Sequence, residues 1–100
     1  MSANLYRDVF ARIQGAGANL RCKDLVVLLQ SLGFLVTSGK SEGHKIFVHP
    51  ELDAFQSSSF NCGHGKNGEV KPNYLTNVLR VLRTYESDLK KLLGEDSNGE

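Results

Sequence analysis

The stretch FLVTSGKSEGHKIFVHP, residues 34–50, contains the pattern that decides the fold. Residues 34–38 and 44–49 are rich in β-branched and aromatic side chains, which are typical of strands. Residues 39–43 between them are glycine, serine and charged residues, which favour a turn. Pro50 closes the second segment. The stretch therefore predicts two strands joined by a short turn, and residues 58–62 predict a short third strand.

Three apolar stripes at helical spacing predict three helices around these strands. The stripes are Leu5, Val9 and Ile13; Leu25, Leu28, Leu29 and Leu32; and Leu75, Val78, Leu79, Leu82, Leu89 and Leu92. Ser2 is a candidate N-cap for the first helix, and Gly33 is suited to end the second. Pro72 is suited to begin the third, which we expect to reach about Leu93.

The resulting order, α-α-β-β-β-α, predicts an α+β protein. Three consecutive strands with short connections should form an antiparallel sheet, with helices on one face and solvent on the other. Residues 51–57 fit neither period and predict a loop that could hold one helical turn. We expect an N-terminal helix and flexible joint over residues 1–19, a main domain over residues 20–93, and a disordered acidic tail over residues 94–100.

Composition narrows the function classes. Residues 20–83 carry eight Lys/Arg against five Asp/Glu, whereas residues 84–100 carry two against five, so a mildly basic centre is masked by an acidic end. Such a centre permits contact with phosphates without requiring it. The chain has no apolar run near the ~20 residues of a membrane span, and its start lacks signal-peptide features. We therefore expect a cytoplasmic protein without membrane contact, in which Cys22 and Cys62 are free thiols.

His44 is the first candidate for chemistry, because it opens a strand directly after a glycine-containing turn. Histidine changes charge near neutral pH, so it can take a proton from a ribose 2′-OH or give one to a leaving oxygen. Lys40 and Lys45 would then stabilise the phosphate charge. An alternative is that His44 is a core residue, because strand alternation places it on one face with Ile46 and Val48.

Two further patterns are ambiguous. Cys62, His49 and His64 are metal-ligand types, but no paired ligand spacing occurs, and we expect neither a metal nor another cofactor. The loop over residues 63–68 has three glycines and Lys66 ahead of a helix, which resembles an anion cradle. A plain connection between strand and helix explains these glycines equally well.

Four segments in order resemble a known family. They are Lys23-Asp24-Leu25 with Leu28-Leu29 and Leu32-Gly33-Phe34; Gly43 to Pro50; His64-Gly65; and Glu69-Val70-Lys71-Pro72 followed by Leu75 and Val78-Leu79. Together, from about Cys22 to Leu82, they resemble the HicA family of mRNA-cleaving toxins. Three features depart from that family. Glu42-Gly43-His44 stands where it often has Gly-Ser-His, residues 1–19 lie outside its core, and the loop over residues 51–57 is longer than the family's short turn.

The resemblance implies a fold like that of a double-stranded-RNA-binding domain, α-β-β-β-α, with an extra N-terminal helix. It implies a metal-independent endoribonuclease that acts on mRNA, with His44 as the catalytic residue. Lys40, Lys45, Lys66 and Lys71 are then the candidates for binding RNA phosphates. The implied partner is an antitoxin protein of the HicB type, which blocks the site.

Two other functions stay open at this stage. The chain could bind RNA without cutting it, using its basic centre. It could instead be a protein-interaction module in which the N-terminal helix is the contact surface. That helix would cover part of the sheet or form a homodimer.

Overall fold

The computed structural model of the chain describes residues 4–16, 20–63 and 68–95. Within these residues the elements are α1 (Leu5–Ala16), α2 (Cys22–Ser31), β1 (Leu35–Ser38), β2 (His44–Val48), β3 (Ser58–Asn61), α3 (Pro72–Thr84) and α4 (Glu86–Leu92). The α+β class and the three consecutive strands are as predicted. None of the helices in these ranges is long and apolar enough to cross a membrane.

The strands form one antiparallel sheet in the order β1-β2-β3. The register pairs Leu35 with Val48 and His44 with Asn61. Because side chains alternate along a strand, the pairing defines two faces. Phe47 and Phe60 are fully buried on the core face. The opposite face, called the outer face below, carries Leu35, Thr37, His44, Ile46, Val48, Ser59 and Asn61.

The first helix belongs to the same hydrophobic core as the rest of the chain. Tyr6, Val9 and Ile13 on α1 are buried among residues of the other helices and strands. Within the described ranges α1 packs against α2, α3 and α4 and against no strand. The apolar side of α1 is therefore occupied by the chain's own helices, and the helix does not cover the sheet.

The end of α2 follows its sequence prediction. Gly33 has φ +96°, and its N–H donates to the Gln30 carbonyl at 2.9 Å. The N–H of Phe34 returns to the Leu29 carbonyl at 3.2 Å. This left-handed glycine satisfies helix-end carbonyls and turns the chain into β1.

The predicted third helix is divided in two at Tyr85. This residue has φ −107° and ψ 21°, so the backbone leaves helical geometry between α3 and α4. The Tyr85 ring packs against Phe55 at 5.4 Å between centroids, and its hydroxyl donates to the Ala54 carbonyl at 3.3 Å. Contacts with the loop after β2 thus stabilise the interruption between α3 and α4. That loop contains turns and no helix over residues 51–57, and it buries Leu52 and Phe55.

The expectation of free thiols is wrong, because Cys22 and Cys62 form a disulfide with 5.4 Å between their α-carbons. The bond joins the first residue of α2 to the residue after β3. Backbone bridges between Arg21 and Glu69 and between Cys62 and Val70 bring the two segments together. Spacing along the chain could not indicate the pairing, because tertiary contacts create it.

The residues assigned to a disordered tail begin with an ordered contact. The Glu95 carboxylate accepts hydrogen bonds from the N–H groups of Leu5 and Tyr6, at 2.8 and 3.1 Å. It therefore caps the first turn of α1, where free N–H groups favour an anion. Residues 96–100 lie outside the described ranges, as does the predicted N-cap Ser2.

Candidate functional site

His44 lies at the start of β2 on the outer face of the sheet and is half-buried. The apolar neighbours on its strand, Ile46 and Val48, share that face, which no helix covers within the described residues. His44 is therefore not a core histidine. Neither of its ring nitrogens forms a hydrogen bond with another described residue, so the imidazole is free to act on a ligand.

Of the two histidines His44 and His49, His49 is the one in the core, and it has a structural role. It is 7% exposed, and its Nδ1 accepts the N–H of Glu51 at 3.2 Å. Its Nε2 must then carry the proton and donates to the Leu32 carbonyl at 3.1 Å. These bonds join the end of β2 to the end of α2. His49 packs against Phe34 on the core side, whereas His44 lies on the outer face.

The turn before β2 fixes the backbone of His44. The Gly39 N–H donates to the His44 carbonyl at 2.7 Å, and the His44 N–H donates to the Ser41 carbonyl at 3.0 Å. Gly43 has φ +84°, and a β-carbon there would lie 2.7 Å from the Cys62 carbonyl oxygen. Only glycine suits position 43, because the backbone there is left-handed and lies in close contact with the backbone of Cys62.

The same turn orients the imidazole. A β-carbon at position 39 would overlap Nδ1 of His44 and would lie 2.9 and 3.0 Å from Cγ and Cε1. The Nδ1 edge of the ring is therefore packed against Gly39. Nε2 lies on the far edge of the ring, so we assign it as the nitrogen available for proton transfer.

A groove of about 630 Å³ begins at His44 and runs over β3 to α3. Apart from Ile46, its lining residues have side chains with polar groups, and the full lining comprises His44, Ile46, Ser57–Ser59, Asn73, Tyr74 and Asn77. Two hydrogen bonds fix its walls: Asn77 Nδ2 donates to Ser58 Oγ at 2.9 Å, and Asn61 Nδ2 donates to the Tyr74 hydroxyl at 3.0 Å. Sequence reasoning missed these residues, because single amides and hydroxyls form no motif until the fold brings them together.

The candidate phosphate-binding lysines separate in space. Lys71, the N-cap of α3, lines a hollow of about 250 Å³ that shares Tyr74 with the groove. Lys40 is exposed in the β1–β2 turn. Lys45 lies on the other face of the sheet from His44, where its Nζ donates to Ser38 Oγ at 3.2 Å. Lys66 lies outside the described residues. Of the described lysines, Lys71 therefore adjoins the His44 groove, and Lys45 does not.

Glu42 is exposed and lines the same hollow as Lys71. It makes no hydrogen bond with His44 in the described part of the chain, so it does not orient the ring. The only ion pair found in that part joins Lys90 to Glu86 on α4, away from this surface. Glu42 therefore adds a negative charge near the site, and Lys71 beside it offsets that charge.

The metal-ligand candidates do not assemble within residues 4–16, 20–63 and 68–95. No group of three His, Cys, Asp or Glu side chains there is placed to hold an ion. The Cys62 sulfur is in the disulfide, and both ring nitrogens of His49 are hydrogen-bonded. His64 and most of the predicted anion cradle lie outside these ranges.

Comparison with protein-family models, curated proteins and solved structures finds no match to this chain. Its function must therefore be argued from its own geometry. In the described part of the chain, the His44 imidazole lines the groove without a hydrogen-bond partner, and Lys71 lines the adjoining hollow. Such a site can bind a polar ligand and transfer protons to or from it.

Proposed function

We propose that the protein is a metal-independent endoribonuclease that cleaves mRNA, with His44 as its catalytic residue. The observation that carries the proposal is that the half-buried His44 imidazole lines the groove and its ring nitrogens have no hydrogen-bond partner among the described residues. The buried His49 shows the opposite arrangement, with both nitrogens engaged. The β-β-β arrangement flanked by helices also suits a fold like that of a double-stranded-RNA-binding domain.

The chemistry needs only proton transfers. The ribose 2′-oxygen attacks the adjacent phosphorus, and the bond from phosphorus to the 5′-oxygen of the next nucleotide breaks. One proton leaves the 2′-OH and one reaches the 5′-oxygen, so atoms and charge balance without a redox partner. Neutral His44 can accept the first proton at Nε2, and protonated His44 can donate the second. Lys71 would stabilise the negative charge that grows on the phosphate.

We infer the biological role from the resemblance to the HicA family. In this role the protein is the toxin of a toxin–antitoxin pair in the cytoplasm, and a HicB-type antitoxin covers the outer face of the sheet. The exposed Leu35 (54%) and the half-buried Ile46 and Val48 give that face an apolar area suited to a protein partner.

The test is cleavage of mRNA by the purified chain in the presence of EDTA. His44→Ala should reduce cleavage by at least ~100-fold, because general acid–base catalysis typically contributes that much. Thr37→Ala, an exposed change on the same face, is the matched control and should leave the rate unchanged. Undiminished cleavage by His44→Ala would contradict the proposal, and loss of all wild-type cleavage in EDTA would contradict metal independence.

The placement of Lys45 favours a second candidate, an RNA-binding module without catalysis. Its position on the opposite face leaves Lys71, among the described lysines, to stabilise a transition state at the His44 groove. This candidate predicts salt-sensitive RNA binding, no cleavage, and the same affinity for wild type and His44→Ala.

A further inference from the structure

We propose that the groove between β3 and α3 is a subsite for one unpaired base of single-stranded RNA, next to the phosphodiester at His44. The proposal rests on the proposed function for the position of the reacting bond. It adds the form of RNA that the site accepts and the residues that hold it. Four observations carry it: the size of the groove, its rigidity, its lack of charge, and the cations beside it.

The groove is large enough for a nucleotide and is held open by side-chain hydrogen bonds. It measures about 630 Å³ and is open to solvent along its length. The bonds from Asn77 to Ser58 and from Asn61 to Tyr74 tie α3 to β3. Because these bonds already fix the walls, a ligand would not need to order them, which favours binding.

The side chains that line the groove favour binding of a base over binding of a phosphate. Apart from His44, every residue of the groove is uncharged. A phosphate placed there would lose its hydration without gaining a cation, which is costly. Base edges, in contrast, are sets of neutral donors and acceptors that amide and hydroxyl groups can match. Asn73, Ser59 and the Tyr74 ring are the groups positioned to make such contacts.

Cations lie where the phosphates on either side of a bound base would need them. Lys71 lines the hollow that continues from Tyr74. Near the next turn of α3, the exposed Arg80 guanidinium donates a hydrogen bond to Asn77 Oδ1. Lys71, which shares its hollow with Glu42, and Arg80 thus lie on either side of the neutral groove, where the phosphates that flank a bound base would be.

This arrangement requires an unpaired strand. In an A-form duplex the major groove is too deep and narrow for side chains, and recognition relies mainly on helix shape and the 2′-OH groups. A base can enter a neutral groove edge-first only after it has left the helix. We therefore assign single-stranded RNA as the ligand, even though the proposed fold resembles a domain that binds duplexes.

The test measures binding by the full-length His44→Ala protein, which separates binding from cleavage. The probes are a fluorescein-labelled RNA hexamer, the same hexamer with one abasic nucleotide, and the hexamer sequence within a duplex, all at one salt concentration. Fluorescence anisotropy should give a Kd at least about tenfold lower for the single strand than for the duplex. Adding Tyr74→Ala should raise that Kd about tenfold, in line with the stacking of one base on an aromatic ring.

Asn73→Ala keeps the test valid if Tyr74→Ala fails to fold. Asn73 is exposed and its side chain makes no hydrogen bond in the described part of the chain, so loss of that side chain should weaken single-strand binding about threefold to tenfold without unfolding the protein. The matched control is Thr76→Ala, which is exposed on the same helix but outside the groove and should leave the Kd unchanged.

Equal affinity for strand and duplex would overturn the subsite, and so would an Asn73→Ala Kd that equals the Thr76→Ala value. An abasic hexamer that binds as tightly as the intact one would also overturn it. The proposed nuclease activity fails separately, if wild type leaves the bound hexamer uncut.

Discussion

The His44 imidazole occupies the space that a side chain at position 39 would need, with its Nδ1 edge against Gly39. Gly39 also donates its N–H to the His44 carbonyl, so one residue fixes both the ring and the backbone of the catalytic candidate. The sequence places Gly39 in a turn, where glycine is common for conformational reasons. Its φ is not positive, so the reason for glycine here is space for the ring.

We expect Gly39→Ala to lower RNA cleavage by about tenfold to a hundredfold, because a displacement of the order of 1 Å can cost that much. The overlap with Nδ1 would rotate the ring and move Nε2. The measurement combines cleavage rate with the NMR shifts of the His44 ring. Gly15→Ala is the control, since a β-carbon there meets nothing within 4 Å, and it should leave both unchanged. If Gly39→Ala keeps the wild-type cleavage rate and the wild-type NMR shifts of the ring, Gly39 does not position His44.

Loss of the disulfide should destabilise the fold substantially. It closes a loop of 40 residues, and the chain-entropy model then gives a loss of about 4 kcal/mol in the free energy of unfolding for the Cys22→Ser, Cys62→Ser double variant. Urea denaturation with and without dithiothreitol measures this. Reductant should destabilise wild type and leave the double variant unaffected. Identical wild-type curves in the two conditions would show that the crosslink contributes nothing to stability.

Tyr6 should make stability fall at high pH. Burial raises its pKa from 10.0 to about 12, with a further contribution from the charge of Glu86 and an opposing one from Arg83. A raised pKa means that the folded state holds the phenol proton more tightly. The stabilisation is therefore complete below pH 10 and is lost as pH rises from 10 towards 12.

Comparison with Tyr6→Phe isolates this effect. The variant lacks the hydrogen bond from the Tyr6 hydroxyl to the Leu82 carbonyl (2.7 Å), so at pH 8 it should be about 1 kcal/mol less stable than wild type. That difference should shrink between pH 10 and 12, as measured by urea denaturation at several pH values. A difference that stays constant over this range would contradict the raised pKa.

Glu95→Ala should lower the free energy of unfolding by about 1 kcal/mol, because it removes the acceptor for two N–H groups at the start of α1. Glu95→Gln keeps one acceptor oxygen and should lose less. The control is Glu86→Ala, which breaks the partly exposed pair with Lys90 and should cost at most about 0.5 kcal/mol. Equal losses for the Ala variants at positions 95 and 86 would argue against a capping role.

Local periodicity accounts for the parts of the fold that could be predicted. The spacing of Leu25, Leu29 and Leu32 predicts α2, and all three are buried in the structure. The β-branched and aromatic side chains over residues 44–49, after a glycine-containing turn, predict β2 with His44 at its start. The break at Tyr85 could not be predicted in this way. Leu82 and Leu89 are seven residues apart, so they stay on one face whether or not the helix is interrupted.

The candidate site also has one part that the sequence predicts and another part that it does not. His44 could be found from the sequence because a histidine after a glycine turn has recognisable chemistry. The groove could not, since Asn73 and Tyr74 reach His44 only through the packing of α3 beside β3. The face that Ile46 and Val48 share with His44 suggested a core position, and only the helix placement shows that this face is open. The helices bury the face of the sheet on which they pack. Strand alternation shows which residues share a face, but it does not show which face the helices cover.

The contact between Glu95 and Leu5 brings the first and last described elements side by side. A short glycine linker could therefore join residue 95 to residue 4 and turn the polypeptide into a ring without stretching any element. New ends could be opened in the loop after β2, where Asp53 and Ala54 are exposed. A permuted protein of this kind would begin with β3 and finish with the His44 hairpin. Its architecture would thus not depend on the order in which a ribosome makes the segments.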